Sequence, residues 1–159
     1  MPPCRQASNL VIRLETRILA PIDLCFDLAR DIDIHIKSTQ KTREKAVAGV
    51  TSGLINLGEE VTWEATHFGI RQRLTSRVTI FDRPRHFRDS QVKGIFRRFD
   101  HDHFFSEDGG ATIMRDVFDY QSPLGWLGRC ADSLFLKAYL SRFLRARAVV
   151  IKEAAEDTT

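Results

Sequence analysis

The spacing of hydrophobic and polar residues predicts a β-sheet over most of the chain. Near the N-terminus, Leu10, Ile12 and Leu14 occupy every second position, which is typical of a strand with one buried face. From Arg43 to Gln121 the same period of two recurs between turn signals rich in glycine, aspartate and proline. Short connections of this kind favour an antiparallel meander. The predicted strands are residues 9–19, 43–48, 59–67, 70–81, 85–92, 95–105 and 111–121.

Helical spacing occurs in three other segments. Pro21 suits the first turn of a helix, and apolar residues follow at the i, i+3, i+4 and i+7 positions counted from Ile22. We therefore expect a short helix that ends near residue 30. The segment 32–38 has apolar residues that fit either a helix or a strand, and its place after a helix of similar size favours a second short helix. A long helix is predicted at 126–155, which holds no proline and no glycine after position 128. An α+β domain must cover the apolar face of its sheet, and the long helix is available to do so.

The composition indicates a single domain, residues 1–159, with loose ends at 1–8 and 156–159. Lys and Arg outnumber Asp and Glu by only 24 to 21, so we expect no nucleic-acid partner. The longest apolar runs are far shorter than the roughly 20 residues of a membrane helix, which predicts no stable membrane insertion. Three cysteines without a metal-binding spacing or a secretion signal favour reduced thiols in a cytoplasmic protein. We expect a monomer or homodimer without a cofactor.

Four segments carry a resemblance to a known superfamily: EKAVAG at 44–49, GEEVTWEATHFG at 58–69, FRRFDHDHF at 96–104 and PLGWLG at 123–128. They resemble the START-like, or SRPBCC, superfamily, and within it a bacterial polyketide cyclase/dehydrase-like subgroup. The resemblance implies the helix-grip fold, in which a seven-stranded antiparallel sheet wraps around a long C-terminal helix. It also implies a cavity for a hydrophobic ligand. It fixes no reaction, because this fold hosts carriers, receptors and enzymes.

Two histidines in the sixth predicted strand mark the candidate site. His101 and His103 are two residues apart, so they share one face of the sheet with Phe99. Strand parity places His67 and Asp116 on inward faces of other strands. A mostly apolar face with a few polar groups is the usual lining of a ligand pocket. The predicted ligand-binding residues are Trp63, His67, Gln91, Phe99, His101, His103, Met114, Phe118, Tyr120, Trp126 and Leu134.

Three interpretations of the histidine pair follow from the sequence. The simplest is a buried hydrogen-bond network that shapes the pocket of a carrier or sensor for a lipid-like or aromatic ligand. In the second, His101 or His103 is the general base of a cyclase or dehydratase, Asp116 orients it, and Tyr120 donates to a substrate carbonyl. In the third, His67 and Asp116 join the pair as zinc or iron ligands. We favour the first interpretation, without a metal.

Two further features bear on the pocket. His35 and His86 are predicted to be solvated, because one lies in a short helix and the other beside a turn. Residues 49–58 form a glycine-punctuated loop with an apolar tip, which is either a lid over a ligand or a long connection folded onto the core. If side chains filled the cavity, an interaction module for another protein would be the better interpretation.

Overall fold

The computed structural model describes residues 10–122 and 135–159. The predicted strands are all present, with bounds close to the predicted ones. They are β1 (Leu10–Ile18), β2 (Lys45–Gly49), β3 (Glu60–His67), β4 (Ile70–Asp82), β5 (His86–Lys93), β6 (Arg98–Asp108) and β7 (Ala111–Gln121). They form one seven-stranded sheet in the order β1-β7-β6-β5-β4-β3-β2, and every neighbouring pair is antiparallel. The predicted meander is therefore confirmed, with β1 added beside β7.

The hairpin of β6 and β7 carries the central part of the candidate site. Gly109 and Gly110 close it with positive φ angles of 55° and 83°, which glycine adopts without steric cost. The register that follows places His103 directly opposite Asp116. Because both strands keep this register over their full length, the inward faces of β6 and β7 form one continuous surface.

Helices follow the first strand and the last strand of the sheet in the chain. The two short helices follow β1 as predicted, and the long helix is at the C-terminus. Its predicted first residues up to position 134, including Trp126 and Leu134, lie outside the described residues. The helices are α1 (Ile22–Ala29), α2 (Ile32–Ser38), the 3-10 helix Gln40–Thr42 and α3 (Lys137–Glu156).

The C-terminal helix α3 packs against β1 and against both short helices. Its buried residues Leu144, Ile151 and Ala155 recur at helical spacing and form one apolar stripe. The sequence predicts a loose end from Glu156 onward. The Glu156 carboxylate instead accepts the backbone N–H of Leu19 at 2.8 Å, which ties the end of α3 to the end of β1. Local sequence could not show this contact, because its two partners are far apart in the chain.

The buried apolar side chains form three clusters rather than one core. One surrounds Phe26 of α1, a second surrounds Phe118 of β7, and a third surrounds Trp63 of β3. Leu74 of β4 packs against both the second and the third cluster. Within residues 10–122 and 135–159, no helix is both long and apolar enough to cross a membrane.

Candidate ligand-binding site

A cavity of about 210 Å³ lies where the three apolar clusters meet. The inward faces of β3 to β7 form one side of its wall, and the helices, the loop before β3 and the turn between β5 and β6 contribute further residues. Most of the wall is apolar. Its apolar members include Val61, Trp63, Phe87, Phe99, Phe118 and Leu144. The helix and the sheet therefore enclose a space between them instead of packing into a continuous core.

A cluster of four polar groups lies at the centre of the sheet, on the same side as the cavity. His101 Nε2 is 3.0 Å and His103 Nδ1 is 2.9 Å from the same oxygen of Asp116. On the opposite side of the imidazoles, Asp89 of β5 lies 3.2 Å from His103 Nε2 and 3.9 Å from His101 Nδ1. Two carboxylates therefore flank two adjacent imidazoles, whose ring centroids are 3.9 Å apart. Of these four residues, Asp89 and His101 line the cavity.

The protonation of this cluster follows from burial and from its ion pairs. Burial alone would raise the pKa of the Asp116 carboxyl, but its bonds to both histidines outweigh burial and hold that pKa far below its usual range. Burial likewise opposes a charge on His103, yet Asp116 and Asp89 raise the pKa of His103. Burial, together with the charge on His103, lowers the pKa of His101. Of the two imidazoles, His103 therefore holds a proton more readily than His101.

The tautomer of His101 is set by its partner. An ionised Asp116 only accepts hydrogen bonds, so His101 must donate through Nε2–H, which leaves a lone pair on Nδ1. That nitrogen lies 3.9 Å from Asp89, and both residues line the cavity. Arg147 of α3 also lines the cavity, and its guanidinium donates to the Ala29 carbonyl at 2.5 Å.

The predicted ligand-binding residues divide into two groups in the structure. Trp63, His67, Phe99, His101 and Phe118 line the cavity. Among the described residues, the lining leaves out the predicted ligand-binding residues Gln91, His103, Met114 and Tyr120, and also Asp116, which was predicted as the orienting residue of the enzyme interpretation. Trp126 and Leu134 lie outside the described residues.

The five residues that do not line the cavity have the expected strand parity but lie elsewhere. Met114 is fully buried in the cluster around Phe26, and Tyr120 in the cluster around Phe118. Gln91 uses its amide to hold the next turn, since Nε2 donates to the Phe96 carbonyl at 2.7 Å. Parity predicts the face on which a side chain lies, but not how far along the strand the cavity extends.

One cavity residue was predicted to be solvated. His35 lines the cavity and stacks on Trp63 with ring centroids 4.1 Å apart. Its Nε2 donates to the buried Glu44 carboxylate at 2.6 Å. The signal for this position was present in the sequence, because His35 is three residues after the buried Ile32 and one residue before Ile36 on the same helical face.

His67, at the end of β3, contacts α3 rather than the other histidines. Its Nδ1 lies 2.7 Å from the hydroxyl of Tyr139, and both residues line the cavity. Burial lowers the pKa of His67. Sequence analysis did not single out Tyr139, because a tyrosine at the start of a long helix carries no local signal of an inward contact.

The second histidine predicted to be solvated is also held in place, but on the outer face of the sheet. His86 stacks on Phe104 with centroids 4.2 Å apart and bonds to Asp102 at 2.6 Å. Arg88 donates to both oxygens of the same carboxylate. This group lies on the opposite face of β5 and β6 from the cavity cluster, so it is a structural ion pair rather than part of the site.

The loop before β3, predicted to be either a lid or a connection folded onto the core, has features of both. Ile55 is buried and lines the cavity, whereas Leu54 and Leu57 are 40% and 59% exposed. Arg30 fixes the loop, since its Nη1 donates to the Ile55 carbonyl at 3.1 Å and to the Asn56 side chain at 2.8 Å. The loop therefore supplies one residue to the wall and leaves its leucines in solvent.

The sheet, the C-terminal helix and the cavity between them define the helix-grip architecture of START-like proteins. No family model matches the chain, and no curated protein matches it either. Several solved structures, however, share its fold. The chain is similar to the Zhui aromatase/cyclase from Streptomyces sp. R1128, with a TM-score of 0.73, 16% identity and 94% of each chain covered.

Two other solved structures from different organisms are also similar to this chain. One is TTHA0849 from Thermus thermophilus, with a TM-score of 0.71 and 18% identity over 92% of this chain and 99% of that one. The other is the major latex-like protein 151 from Panax ginseng, with a TM-score of 0.67 and 15% identity over 92% and 97%. At these identities the likeness shows the fold, and it confirms the helix-grip architecture that the sequence resemblance implied.

Proposed function

We propose that this protein binds a small hydrophobic ligand in the cavity and acts as its carrier or sensor. The observation that carries this proposal is the cavity itself, since three apolar clusters leave an apolar space where a continuous core would be more stable. An open apolar space beside a few convergent polar groups is the usual form of a small-molecule site. The similarity in fold to a latex-like protein and to an aromatase/cyclase supports the same interpretation.

The size and chemistry of the wall restrict the ligand. A cavity of about 210 Å³ is larger than the roughly 150 Å³ that accommodates benzene but smaller than the roughly 300 to 1,000 Å³ of drug-sized pockets. This favours an aromatic ligand of one or two rings, or a short acyl chain, over a long lipid. The carboxylates of Asp89 and Glu44 also lie on the wall, so a hydroxyl or amine on the ligand would find an acceptor there.

Native mass spectrometry of protein purified without refolding tests this proposal. We expect a co-purified compound of low mass, released when the protein is denatured. A naphthalene-based fluorophore should also bind saturably, at one site per chain, and the released compound should compete with it. A protein that carries no compound and shows only non-saturable fluorophore binding would contradict the proposal.

A second candidate function is a cyclase or dehydratase, and one observation favours it. Asp116 fixes the tautomer of His101 and leaves a lone pair on Nδ1 of a residue that lines the cavity. His103 and Asp116 are not on the wall, so His101 alone would touch the substrate and the other two would position it. The aromatase/cyclase of the same fold supports the assignment.

Turnover and binding separate these two functions. If His101 accepts a proton next to a substrate carbonyl, His101→Gln should reduce turnover of a poly-β-ketone analogue by roughly 100- to 10,000-fold and leave its binding little changed. Phe118→Leu, which alters the wall beside His101 without removing a nitrogen, is the matched control. Binding of the analogue for hours without conversion by the wild-type protein would exclude the enzyme for this substrate class.

We place the protein in the cytoplasm as a monomer or homodimer, without a nucleic-acid partner. The buried free thiol of Cys25 supports a reducing compartment. Light scattering of the purified protein tests the oligomeric state, and a trimer or larger assembly would contradict this proposal.

A further inference from the structure

We propose that Asp89, His101 and His103 bind a divalent transition-metal ion at the wall of the cavity. Each residue offers one ligand atom, and the three atoms lie within 4.8 Å of one another. Two imidazole nitrogens and one carboxylate oxygen are a donor set typical of zinc and ferrous iron. The site goes beyond ligand binding, and it differs from the metal set that the sequence suggested, in which His67 and Asp116 were ligands.

The distances between the donor atoms suit such an ion. Asp89 lies 3.2 Å from His103 Nε2 and 3.9 Å from His101 Nδ1. Metal bonds of about 2.1 Å place neighbouring donors roughly 3 to 4 Å apart when the bond angles lie between about 90° and 135°. The two Asp89 distances fall in this range, and the remaining distance, between the two imidazole nitrogens, is within 4.8 Å.

Asp116 provides an independent reason to assign a metal here. Histidines that bind a metal through one nitrogen usually donate the other N–H to a carboxylate, which fixes the direction of the ring. Asp116 contacts His101 Nε2 and His103 Nδ1 with the same oxygen. The remaining nitrogens, Nδ1 of His101 and Nε2 of His103, are the two that face Asp89. The hydrogen bond to Asp116 therefore orients His101 toward Asp89, whereas His103 Nδ1 contacts the same oxygen at 2.9 Å without hydrogen-bond geometry.

The position of the site leaves room for a bound molecule. Asp89 and His101 line the cavity, so coordination positions not filled by the protein would open toward it. Three protein ligands with an open position are the arrangement of catalytic rather than structural zinc. In the metal-free cluster, His103 Nε2 lies 3.2 Å from Asp89 and His103 Nδ1 lies 2.9 Å from Asp116. The ion would bind Nε2 in its unprotonated form, so any proton on that nitrogen would pass to the solvent.

Cobalt(II) titration of the full chain, after dialysis against a chelator, tests the site. We expect saturable binding at one site per chain. Visible absorption reports this binding, and added zinc should reverse it. Asp89→Asn and His101→Gln should each abolish it, and Asp116→Asn should weaken it by about 10- to 100-fold as an orienting residue. His86→Gln is the matched control, because His86 forms a similar pair with Asp102 on the opposite face.

A measurement on the wild-type protein avoids any loss of folding in the variants. Zinc should shift the ring nitrogen NMR signals of two of the five histidines, and those of His35, His67 and His86 should stay in place. Absence of saturable binding, equal binding by all variants, or shifts at other histidines would overturn the proposal. Fluorophore binding to the same metal-free samples reports on the cavity alone, so failure of the metal site and failure of the ligand site are distinguishable.

Discussion

The most direct test of the buried cluster is the substitution Asp116→Asn. Asp116 is 4% exposed and contacts both imidazoles through one oxygen. The amide keeps the shape of the side chain but removes the charge that pairs with His103, which is fully buried. Removing one partner of a buried ion pair costs about 3 to 5 kcal/mol. We expect the lower value, about 3 kcal/mol, because Asp89 still faces His103 at 3.2 Å.

For a chain of 159 residues, each kcal/mol shifts the melting temperature by about 2 to 4 °C, so Asp116→Asn should lower it by about 6 to 12 °C. Urea denaturation followed by circular dichroism gives the free energy of unfolding directly. Asp100→Asn is the control, since Asp100 is on the outer face and its partly exposed pairs with Arg98 and Ser90 contribute about 1 kcal/mol or less. If the two variants lose equal stability, the assignment of a buried ion pair is refuted.

Three other residues of the cavity wall give further predictions. Trp63→Ala should weaken fluorophore binding by at least about tenfold, whereas Val92→Ala, at an exposed position, should not change it. If both variants bind the fluorophore with equal affinity, the ligand binds at a different site. Burial lowers the pKa of His67, so below about pH 6.5 the unfolded chain binds a proton more readily than the folded chain does. As the pH is lowered through this range, the thermal stability of the wild type should therefore decrease more steeply than that of His67→Gln. Ile55→Ala should cost about 2 kcal/mol or more in urea denaturation, and Leu57→Ala less than about 0.5 kcal/mol; similar losses would contradict the loop assignment.

The sequence by itself determined the secondary structure and the face of each strand. A period of two predicts strands whichever partner they later find, so the alternation in β1, β3 and β7 was sufficient. The start of α2 has a local cause, because the Asp31 carboxylate accepts the backbone N–H of Asp33 and Ile34. The shared face of His101 and His103 follows from their spacing alone.

The tertiary structure decided which of these inward residues meet. Asp89 reaches both histidines because β5 pairs with β6 in a register that places it opposite His101, and no local pattern contains that register. Bulges in the pairing of β4 with β5 shift the strands further. His35 stacks on Trp63 only because α2 folds back onto β3. Periodicity fixes the face of a residue, whereas depth and partner depend on long-range packing of segments distant in the chain.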